Sequence, residues 1–213
     1  MKKRIAAIRR EYCLAELTRA SVADNPADQF RKWLDEALNA EAIDPTAMTL
    51  ATAGLDGRPS ARIVLLKDIN ETGLSFFTNY ESKKGRQLTE NPYAALVFYW
   101  PELERQVRFE GHAGKLPAGE SDEYFDSRPD ASKAGAWASR QSSVIGSRKV
   151  LEDKMLKVTE KYKSRPIPRP PGWGGYRLMP VLAEFWQGRH SRLHDRIQYL
   201  YREDRWEICR LSP

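Results

Sequence analysis

The sequence predicts an α+β protein, mainly antiparallel β, arranged as a barrel or sandwich with appended helices. Two observations lead to this class. Short β-rich segments, punctuated by turn residues, fill residues 48–116 and return at 176–211, while residues 119–163 have helical spacing. With 213 residues and no internal repeat, the chain is expected to form a single domain.

The first clear element is a helix over about 26–40. Asn25-Pro26 is a credible cap and first-turn pair, and apolar residues then recur at helical spacing: Phe30, Trp33, Leu34, Ala37 and Leu38. An antiparallel meander is expected from Met48 to about residue 79, with turns at Gly54–Gly57 and Asn70–Gly73.

A short helix over about 82–90, capped by Ser82, is expected to stop at Asn91-Pro92. Two further strands surround the turn at 101–103. Helical texture then covers 119–163, where one apolar stripe is expected to consist of Leu151, Met155, Val158 and Tyr162. A stiff, proline-rich connector leads from there to the last strands, at 176–211.

The composition indicates a globular cytoplasmic protein, with 41% hydrophobic and 30% charged residues. No apolar run approaches the length of a membrane span, and the N-terminus lacks the apolar region of a secretory signal. Cys13 and Cys209 are expected to be reduced thiols, although an end-to-end disulfide remains open. The net charge of +6 favours anionic partners without separating nucleic acid from phosphorylated metabolites.

The motif content excludes several chemistries. The glycine-rich loops that bind phosphate groups are absent, as are the nucleophile elbow and any cysteine–histidine motif of covalent hydrolysis. His190 and His194 are four residues apart without a third ligand, so no metal site is predicted. Lys83, Lys84 and Arg86 form a basic cluster that by itself is typical of a solvated face.

Two patterns of cations are harder to explain as solvated surface. If residues 192–196 begin a strand, Arg192, His194 and Arg196 share one face, and Asp195 points the other way. Arg62 and Lys67 bracket an apolar strand, and on a regular strand they face opposite sides unless a bulge intervenes. Burying a strand with a cation at each end costs free energy unless an anion pairs with the cations. We therefore expect these strand side chains to bind an anion.

These residues belong to a longer series of strings that resembles the pyridoxine/pyridoxamine 5′-phosphate oxidases. The strings occur in the family's order over nearly the whole chain: RREY (9–12), RIVLLK (62–67), FTNYESKKGRQ (77–87), ERQV (104–107), YFDSRPDASKAGAWASRQSS (124–143), GGYR (174–177) and EFWQGRHSRLHDR (184–196). The resemblance implies a flavin mononucleotide (FMN)-binding split β-barrel over 23–213, preceded by an N-terminal helical or lid segment over 1–22. It also implies a homodimer with FMN at the subunit interface.

The activity that the resemblance implies is oxidation of pyridoxine or pyridoxamine 5′-phosphate to pyridoxal 5′-phosphate, in pyridoxal phosphate biosynthesis and salvage. The substrate passes a hydride to flavin N5, O₂ is reduced to H₂O₂, and the amine substrate releases ammonia. Cofactor-binding residues implied in this way are Arg62, Ile63, Val64, Leu65, Leu66, Lys67, Phe77, Thr78, Lys83, Lys84, Gln106, Gln141, Ser142, Trp186 and Arg196.

The substrate-binding residues that the resemblance implies are Arg9, Arg10, Glu11, Tyr12, Lys67, Tyr124, Arg128, Ser132, Arg192, Leu193 and His194. Arg192 and His194 are the catalytic candidates, and His194 is the hypothetical proton acceptor for the alcohol substrate. Two alternatives stay open. One is a split-barrel FMN oxidase that acts on a different ring, and the other is a basic nucleic-acid-binding barrel, suggested by the pI of 9.3.

Overall fold

The structure is a computed structural model that describes residues 11–213, and its secondary structure is α+β. The helices are α1 (Pro26–Asn39), α2 (Lys83–Glu90), α3 (Ala118–Asp126), α4 (Asp130–Ala138) and α5 (Arg148–Lys161). The strands are β1 (Ala47–Ala53), β2 (Pro59–Leu65), β3 (Asp68–Asn70), β4 (Gly73–Asn79), β5 (Tyr93–Trp100), β6 (Arg105–Lys115), β7 (Trp173–Gln187), β8 (Asp195–Arg202) and β9 (Arg205–Arg210). None of the helices among these residues is long and apolar enough to cross a bilayer.

The strands form one hydrogen-bonded sheet in the order β2-β1-β5-β6-β7-β4-β3, with β8 on β7 and β9 on β8. Of the predicted meander over β1–β4, the neighbours β1–β2 and the antiparallel pair β3–β4 are confirmed. The link between these two pairs is wrong, because β2 and β3 lie at opposite ends of this order. Instead β4 pairs antiparallel with β7, and Phe76 faces Tyr176. β4 lies between β3 and β7 in the sheet and is mostly buried on both faces. Its partner β7 comes from about a hundred residues further along the chain.

The residues group into two compact units. Among the described residues, unit 1 comprises residues 11–49 with Ala95–Gly111 and Pro180–Pro213, and unit 2 comprises Leu50–Ala94 and His112–Met179.

Unit 1 has an aromatic core under α1. The Asn25 side chain accepts the Ala27 N–H at 2.7 Å, and Pro26 opens the helix, as the sequence predicts. The helix then buries Phe30 and Trp33, whose rings lie 4.7 Å from Phe98 and 5.3 Å from Phe185. Burial of each such ring contributes roughly 1.5–3 kcal/mol, so α1 is held by its apolar face.

Unit 2 fixes the start of α2 by two contacts. The Ser82 hydroxyl accepts the Gly85 N–H at 3.3 Å, which confirms the predicted cap. A Cβ atom at Gly85 would lie 2.1 Å from the carbonyl oxygen of Tyr80, so this position requires glycine. The first turn of α2, which carries Lys84, is therefore held closely against the end of β4.

The stretch around Arg192 is not a strand. Residues His190–Arg192 form a 3₁₀ turn in which Ser191 and Arg192 have φ of 57° and 61°, and β8 begins at Asp195. Positive φ values are incompatible with a strand. The predicted single-face row of Arg192, His194 and Arg196 is therefore wrong, because the chain turns within it.

Three further expectations change in the structure. Strand β2 is not buried, since its alternate positions are exposed and Ile63 is 63% accessible. The helical region at 119–163 divides into α3, α4 and α5, because Pro129 interrupts the first piece and residues 139–147 are not helical. Of the predicted helical segment at 1–22, the described part contains a single 3₁₀ turn, Arg19–Ser21.

Candidate active site

A cavity of about 430 Å³ lies within unit 2. Eight predicted cofactor residues line it: Ile63, Val64, Leu65, Lys67, Phe77, Thr78, Lys84 and Gln141. Three further lining residues were predicted to bind substrate: Tyr124, Arg128 and Ser132. The five lining residues that were not predicted are Asn79, Gly135, Ala136, Ser139 and Trp173. The structure therefore brings together segments that are more than a hundred residues apart in the chain.

Lys84 is a buried cation at the wall of this cavity, with 8% of its surface accessible. Its Nζ donates to two neutral acceptors, Thr78 Oγ1 at 3.2 Å and Gln141 Oε1 at 3.0 Å. Burial is the main cause that lowers the pKa of Lys84, and the positive charge of Arg62 lowers it further. An ammonium group with such surroundings is stabilised strongly by an anion.

Arg62 is the second cation of this group. Its guanidinium donates to Thr52 Oγ1 at 2.5 Å and to the Leu50 carbonyl at 3.1 Å, which are also neutral. Burial lowers the pKa of Arg62 as well. Two neighbouring cations on neutral acceptors match the needs of a phosphate dianion, and this fit does not require a glycine loop.

A stack of aromatic rings lies beside these cations. Phe77 stacks on Tyr124 with a centroid distance of 4.0 Å, and Trp173 is nearly parallel to Phe77 at 5.5 Å. The guanidinium of Arg128 lies 4.7 Å from the centroid of the Trp173 ring. Trp173 was not predicted as a site residue, since a lone tryptophan before GGYR is indistinguishable from core in the sequence.

Arg128 has an unsatisfied donor. Among the described residues, its Nη1 is a buried atom without a hydrogen-bond partner. Burial lowers the pKa of Arg128, whereas the nearby Tyr124 acts in the opposite direction. A buried, unpaired guanidinium nitrogen beside a cavity indicates a second anion site, because leaving such a donor unpaired costs about 1–3 kcal/mol or more. Ser132, in the first turn of α4, lines the same cavity.

Four predicted cofactor residues of this region are outside the cavity lining, and Arg62, described above, is one of them. Leu66 is buried at 5% accessibility, directly after β2. Lys83 and Ser142 are exposed, and Ser142 has φ of 67°. The structure gives no contact that assigns them to the cavity.

A second cluster of predicted residues lies within unit 1. The His194 ring is 4.6 Å from Trp186 and 5.7 Å from Tyr12, and Tyr12 meets Trp186 edge-on at 5.7 Å. Arg9 and Arg10 lie outside the described residues. Glu11 approaches His190, with Oε2 3.8 Å from Nδ1.

The hydrogen bonding of His194 indicates its tautomer. The backbone N–H of Arg189 donates to His194 Nδ1 at 3.1 Å, so a neutral ring carries its proton on Nε2. Burial and, to a lesser extent, the charge of Arg192 lower the pKa of His194. His194 therefore offers an N–H donor at Nε2, which argues against its predicted role as a proton acceptor.

Arg196 already has an anionic partner. Its Nε lies 2.8 Å from Oε1 of Glu184, and its Nη2 donates to Oε2 at 3.1 Å. Glu184 is buried, and it also accepts a 2.8 Å hydrogen bond from Arg108. The hydrogen bonds that Arg196 donates to Glu184 raise the pKa of Arg196. Unlike Lys84 and Arg128, Arg196 does not need a ligand to neutralise it.

The remaining predicted residues of unit 1 and the residues next to His194 lie in varied surroundings. Leu193 is 70% exposed beside the 3₁₀ turn, and Gln106 is half-buried on β6. Asp195 accepts the Leu17 N–H at 3.0 Å and pairs with Arg210 at 2.5 Å. Both cysteines are free and exposed. No cluster of three or more potential metal ligands occurs within residues 11–213.

Comparison with known proteins gives matches over most of the chain. The family model described as pyridoxamine 5′-phosphate oxidase matches residues 34–162, and the one described as pyridoxine 5′-phosphate oxidase C-terminal dimerisation region matches 173–213. A pyridoxine/pyridoxamine 5′-phosphate oxidase of Burkholderia lata is 58% identical, covering 98% of this chain and 99% of that protein. One of Trichormus variabilis is 55% identical, with full coverage of both chains.

Two solved structures are similar as well. PhzG from Burkholderia lata, in complex with tetrahydrophenazine-1-carboxylic acid, aligns with a TM-score of 0.89 at 33% identity, covering 94% of this chain and 99% of that one. A pyridoxamine 5′-phosphate oxidase-related, FMN-binding protein from Nostoc punctiforme has a TM-score of 0.70 at 20% identity, covering 86% and 97%, which bears on the fold alone. The predicted fold class, a mainly antiparallel split barrel with appended helices, is confirmed.

Proposed function

The chain belongs to the pyridoxine/pyridoxamine 5′-phosphate oxidase family, and on that premise we propose that it is an FMN-dependent oxidase producing pyridoxal 5′-phosphate. The observation that carries the proposal is the presence in unit 2 of two separate cationic groups, each with a member on the cavity wall and neither with an anionic partner among residues 11–213. One is Lys84 with Arg62, and the other is Arg128. A reaction between two phosphate-bearing molecules needs two such groups.

The FMN phosphate is assigned to Lys84 and Arg62, with the hydroxyl of Thr78 and the amide of Gln141 beside them. The fit rests on the buried ammonium of Lys84, because the two acceptors of its hydrogen bonds, Thr78 Oγ1 and Gln141 Oε1, are both neutral. Apolar side chains of β2, namely Ile63, Val64 and Leu65, line the same cavity and suit the flat face of a flavin.

The substrate phosphate is assigned to Arg128, whose buried Nη1 has no hydrogen-bond partner within residues 11–213, together with Lys67 and Ser132 at the same cavity. Trp173 supports the Arg128 guanidinium from one face, and the Tyr124 ring stacks with Phe77. A planar pyridine ring is well matched to such an aromatic wall. A substrate without a phosphate leaves Arg128 unpaired, so this group selects for phosphorylated vitamers.

When bound, FMN supplies the hydride acceptor and delivers the electrons to O₂. The chain's own part is to orient the substrate carbon and to manage protons. The amine substrate needs no strong base at this step, and the Nε2–H of His194 is suited to donate a hydrogen bond to a substrate oxygen. Burial and, to a lesser extent, the charge of Arg192 lower the pKa of His194, which favours the neutral ring.

A homodimer is part of this proposal. Residues 173–213 match the family's C-terminal dimerisation region and comprise β7, β8 and β9. We expect the apo-protein to be dimeric already, with FMN bound at the subunit interface. Sedimentation of an active, FMN-loaded monomer at micromolar concentration would contradict this part of the proposal.

A second candidate function is oxidation of a different ring by the same fold. The similarity to PhzG, a protein solved with a tetrahydrophenazine carboxylic acid, is the observation that favours it. A carboxylate could also pair with Arg128. The phosphate-suited group of Arg128, Lys67 and Ser132, together with 58% identity to a named pyridoxine/pyridoxamine 5′-phosphate oxidase, favours the first candidate.

The experiment that tests the proposal is a spectroscopic assay of the purified protein. A yellow preparation with flavin absorbance is expected, and it should convert pyridoxamine 5′-phosphate to an aldehyde product with stoichiometric H₂O₂ and ammonia. Flavin without turnover of either phosphorylated vitamer, combined with turnover of a tetrahydrophenazine carboxylic acid, would select the second candidate. A colourless protein that binds nucleic acid would contradict both.

A further inference from the structure

We propose that Glu104 is a positioning residue that holds Tyr12 against His194 and Trp186 by fixing the backbone after Tyr12. The inference deepens the proposed function and rests on it, since it concerns the same substrate-side cluster. All of its residues belong to unit 1.

Glu104 is a buried carboxylate that binds the N-terminal segment. Its Oε2 accepts the backbone N–H groups of Cys13 at 2.8 Å and Leu14 at 3.1 Å, although about ninety residues separate the partners. Only 2% of Glu104 is accessible. Two hydrogen bonds to one ionised oxygen are stronger than neutral ones, so the segment is fixed directly after Tyr12.

The backbone of Glu104 is fixed on its other side. Its carbonyl accepts the Gly188 N–H at 2.8 Å and the Gln187 side-chain amide at 3.2 Å. Glu104 itself has φ of 55°, an unfavourable value for a glutamate that these contacts maintain. The residue therefore links the segment at 13–14 to the end of β7.

Gly188 explains why Tyr12 can lie where it does. A Cβ atom at Gly188 would be 2.7 Å from both Cβ and Cγ of Tyr12, so the tyrosine rests directly on the glycine backbone. From there its ring contacts Trp186 and His194, each at 5.7 Å. Glu104 holds both Gly188 and the backbone after Tyr12, and so determines the distance from Tyr12 to His194.

The following part of the segment has independent anchors. Leu17 donates its N–H to Asp195 at 3.0 Å, and its carbonyl accepts from Arg210 at 2.7 Å. The Ala15 carbonyl accepts from Arg189 at 3.2 Å. Removal of the Glu104 carboxylate should therefore release Tyr12 while residues 15–17 stay in place.

The test is a double-mutant cycle between Glu104→Ala and Tyr12→Ala, measured with pyridoxamine 5′-phosphate. In the wild-type background, Glu104→Ala should raise KM about tenfold, the size expected for loss of a charge-assisted hydrogen bond, with FMN affinity unchanged. Glu104→Gln keeps an acceptor and should lose less. Glu102→Ala removes an exposed carboxylate from the same turn and should change neither quantity.

The cycle distinguishes positioning from general stability. If Glu104 acts through Tyr12, its effect on KM disappears in the Tyr12→Ala background. An equal effect in both backgrounds overturns the inference. A KM that Glu104→Ala leaves unchanged overturns it as well.

Amide hydrogen exchange keeps this inference separate from the proposed function. Glu104→Ala should abolish protection at Cys13 and Leu14 while Leu17 stays protected, and this readout requires no turnover. Unchanged protection at Cys13 and Leu14 overturns the inference. A wild-type protein that oxidises no phosphorylated vitamer would instead contradict the proposed function, and the exchange data would still decide whether Glu104 holds the segment.

Discussion

Arg189 donates its backbone N–H to Nδ1 of His194 at 3.1 Å, which places the proton of the neutral imidazole on Nε2. Nitrogen-15 NMR of the histidine ring should therefore report a protonated Nε2 and an unprotonated Nδ1 at neutral pH. A ring protonated at Nδ1 would restore His194 as a proton acceptor at Nε2 and contradict the donor role assigned to it.

The same residue gives a pH prediction. Burial and the charge of Arg192 lower the pKa of His194 from its usual 6.5. The folded state therefore favours the neutral ring, and this stabilisation is present above 6.5 and lost as pH falls toward the lower folded pKa. As pH falls between 6.5 and the folded pKa of His194, the free energy of unfolding should decrease more steeply in the wild type than in His194→Gln. Identical slopes, or an NMR titration above 6.5, would argue against the shift.

Lys84 should reduce the stability of the flavin-free protein while it strengthens FMN binding. Lys84→Met removes a buried charge whose pKa is lowered by burial, so the melting temperature of the flavin-free form should rise. Its FMN affinity should fall by about 10- to 150-fold, which corresponds to roughly 1.5–3 kcal/mol for a charge-assisted phosphate contact.

The matched control for Lys84 is Arg86→Met, which removes an exposed cation from the same helix. It should change neither the melting temperature of the flavin-free protein nor the FMN affinity appreciably. If Lys84→Met binds FMN as tightly as the wild type, the phosphate assignment is wrong.

Arg196 and Arg192 should behave differently on substitution. Arg196→Ala leaves the buried carboxylate of Glu184 with one partner fewer and should cost about 2–3 kcal/mol of unfolding free energy. Adding Glu184→Gln should recover part of that loss. Arg192→Ala should keep the melting temperature and raise KM for the phosphorylated amine. Equal melting temperatures for Arg196→Ala and the wild type would show that the ion pair contributes little.

The helices and most strand positions were predictable because their signals are local. The cap at Asn25-Pro26, the cap at Ser82 and the glycine-bearing turns depend on neighbouring residues, and each forms where the sequence predicts it. The pairing of β4 with β7 was not predictable in this way, because the partner strand is distant in the chain and no local residue identifies it.

At the site, sequence patterns identified cations but not their state of neutralisation. Arg196 and Arg128 look equivalent in the sequence, yet Arg196 is paired with a buried carboxylate, whereas Arg128 has a buried nitrogen without a partner in the described part of the chain. The turn at Ser191 and Arg192 could not be predicted either, because neither serine nor arginine is a residue type that indicates a positive φ. Glu104 and Trp173 were missed because their importance depends on long-range contacts.

Arg128 is expected to make the site selective for a phosphorylated ring, and the variant that tests this is Arg128→Ala. The matched control variant is Arg165→Ala. The guanidinium carbon of Arg165 also lies over an aromatic ring, 5.0 Å from the centroid of Tyr162, but Arg165 is exposed. The control should behave as the wild type.

The most direct measurement is the ratio of kcat/KM for pyridoxamine 5′-phosphate to kcat/KM for pyridoxamine, in the wild type and in Arg128→Ala. We expect a large ratio in the wild type and a ratio at least about tenfold smaller in the variant, because a charge-assisted contact of about 1.5–3 kcal/mol is lost. The flavin content of the variant should be unchanged. A ratio that is the same in both proteins would contradict the role assigned to Arg128.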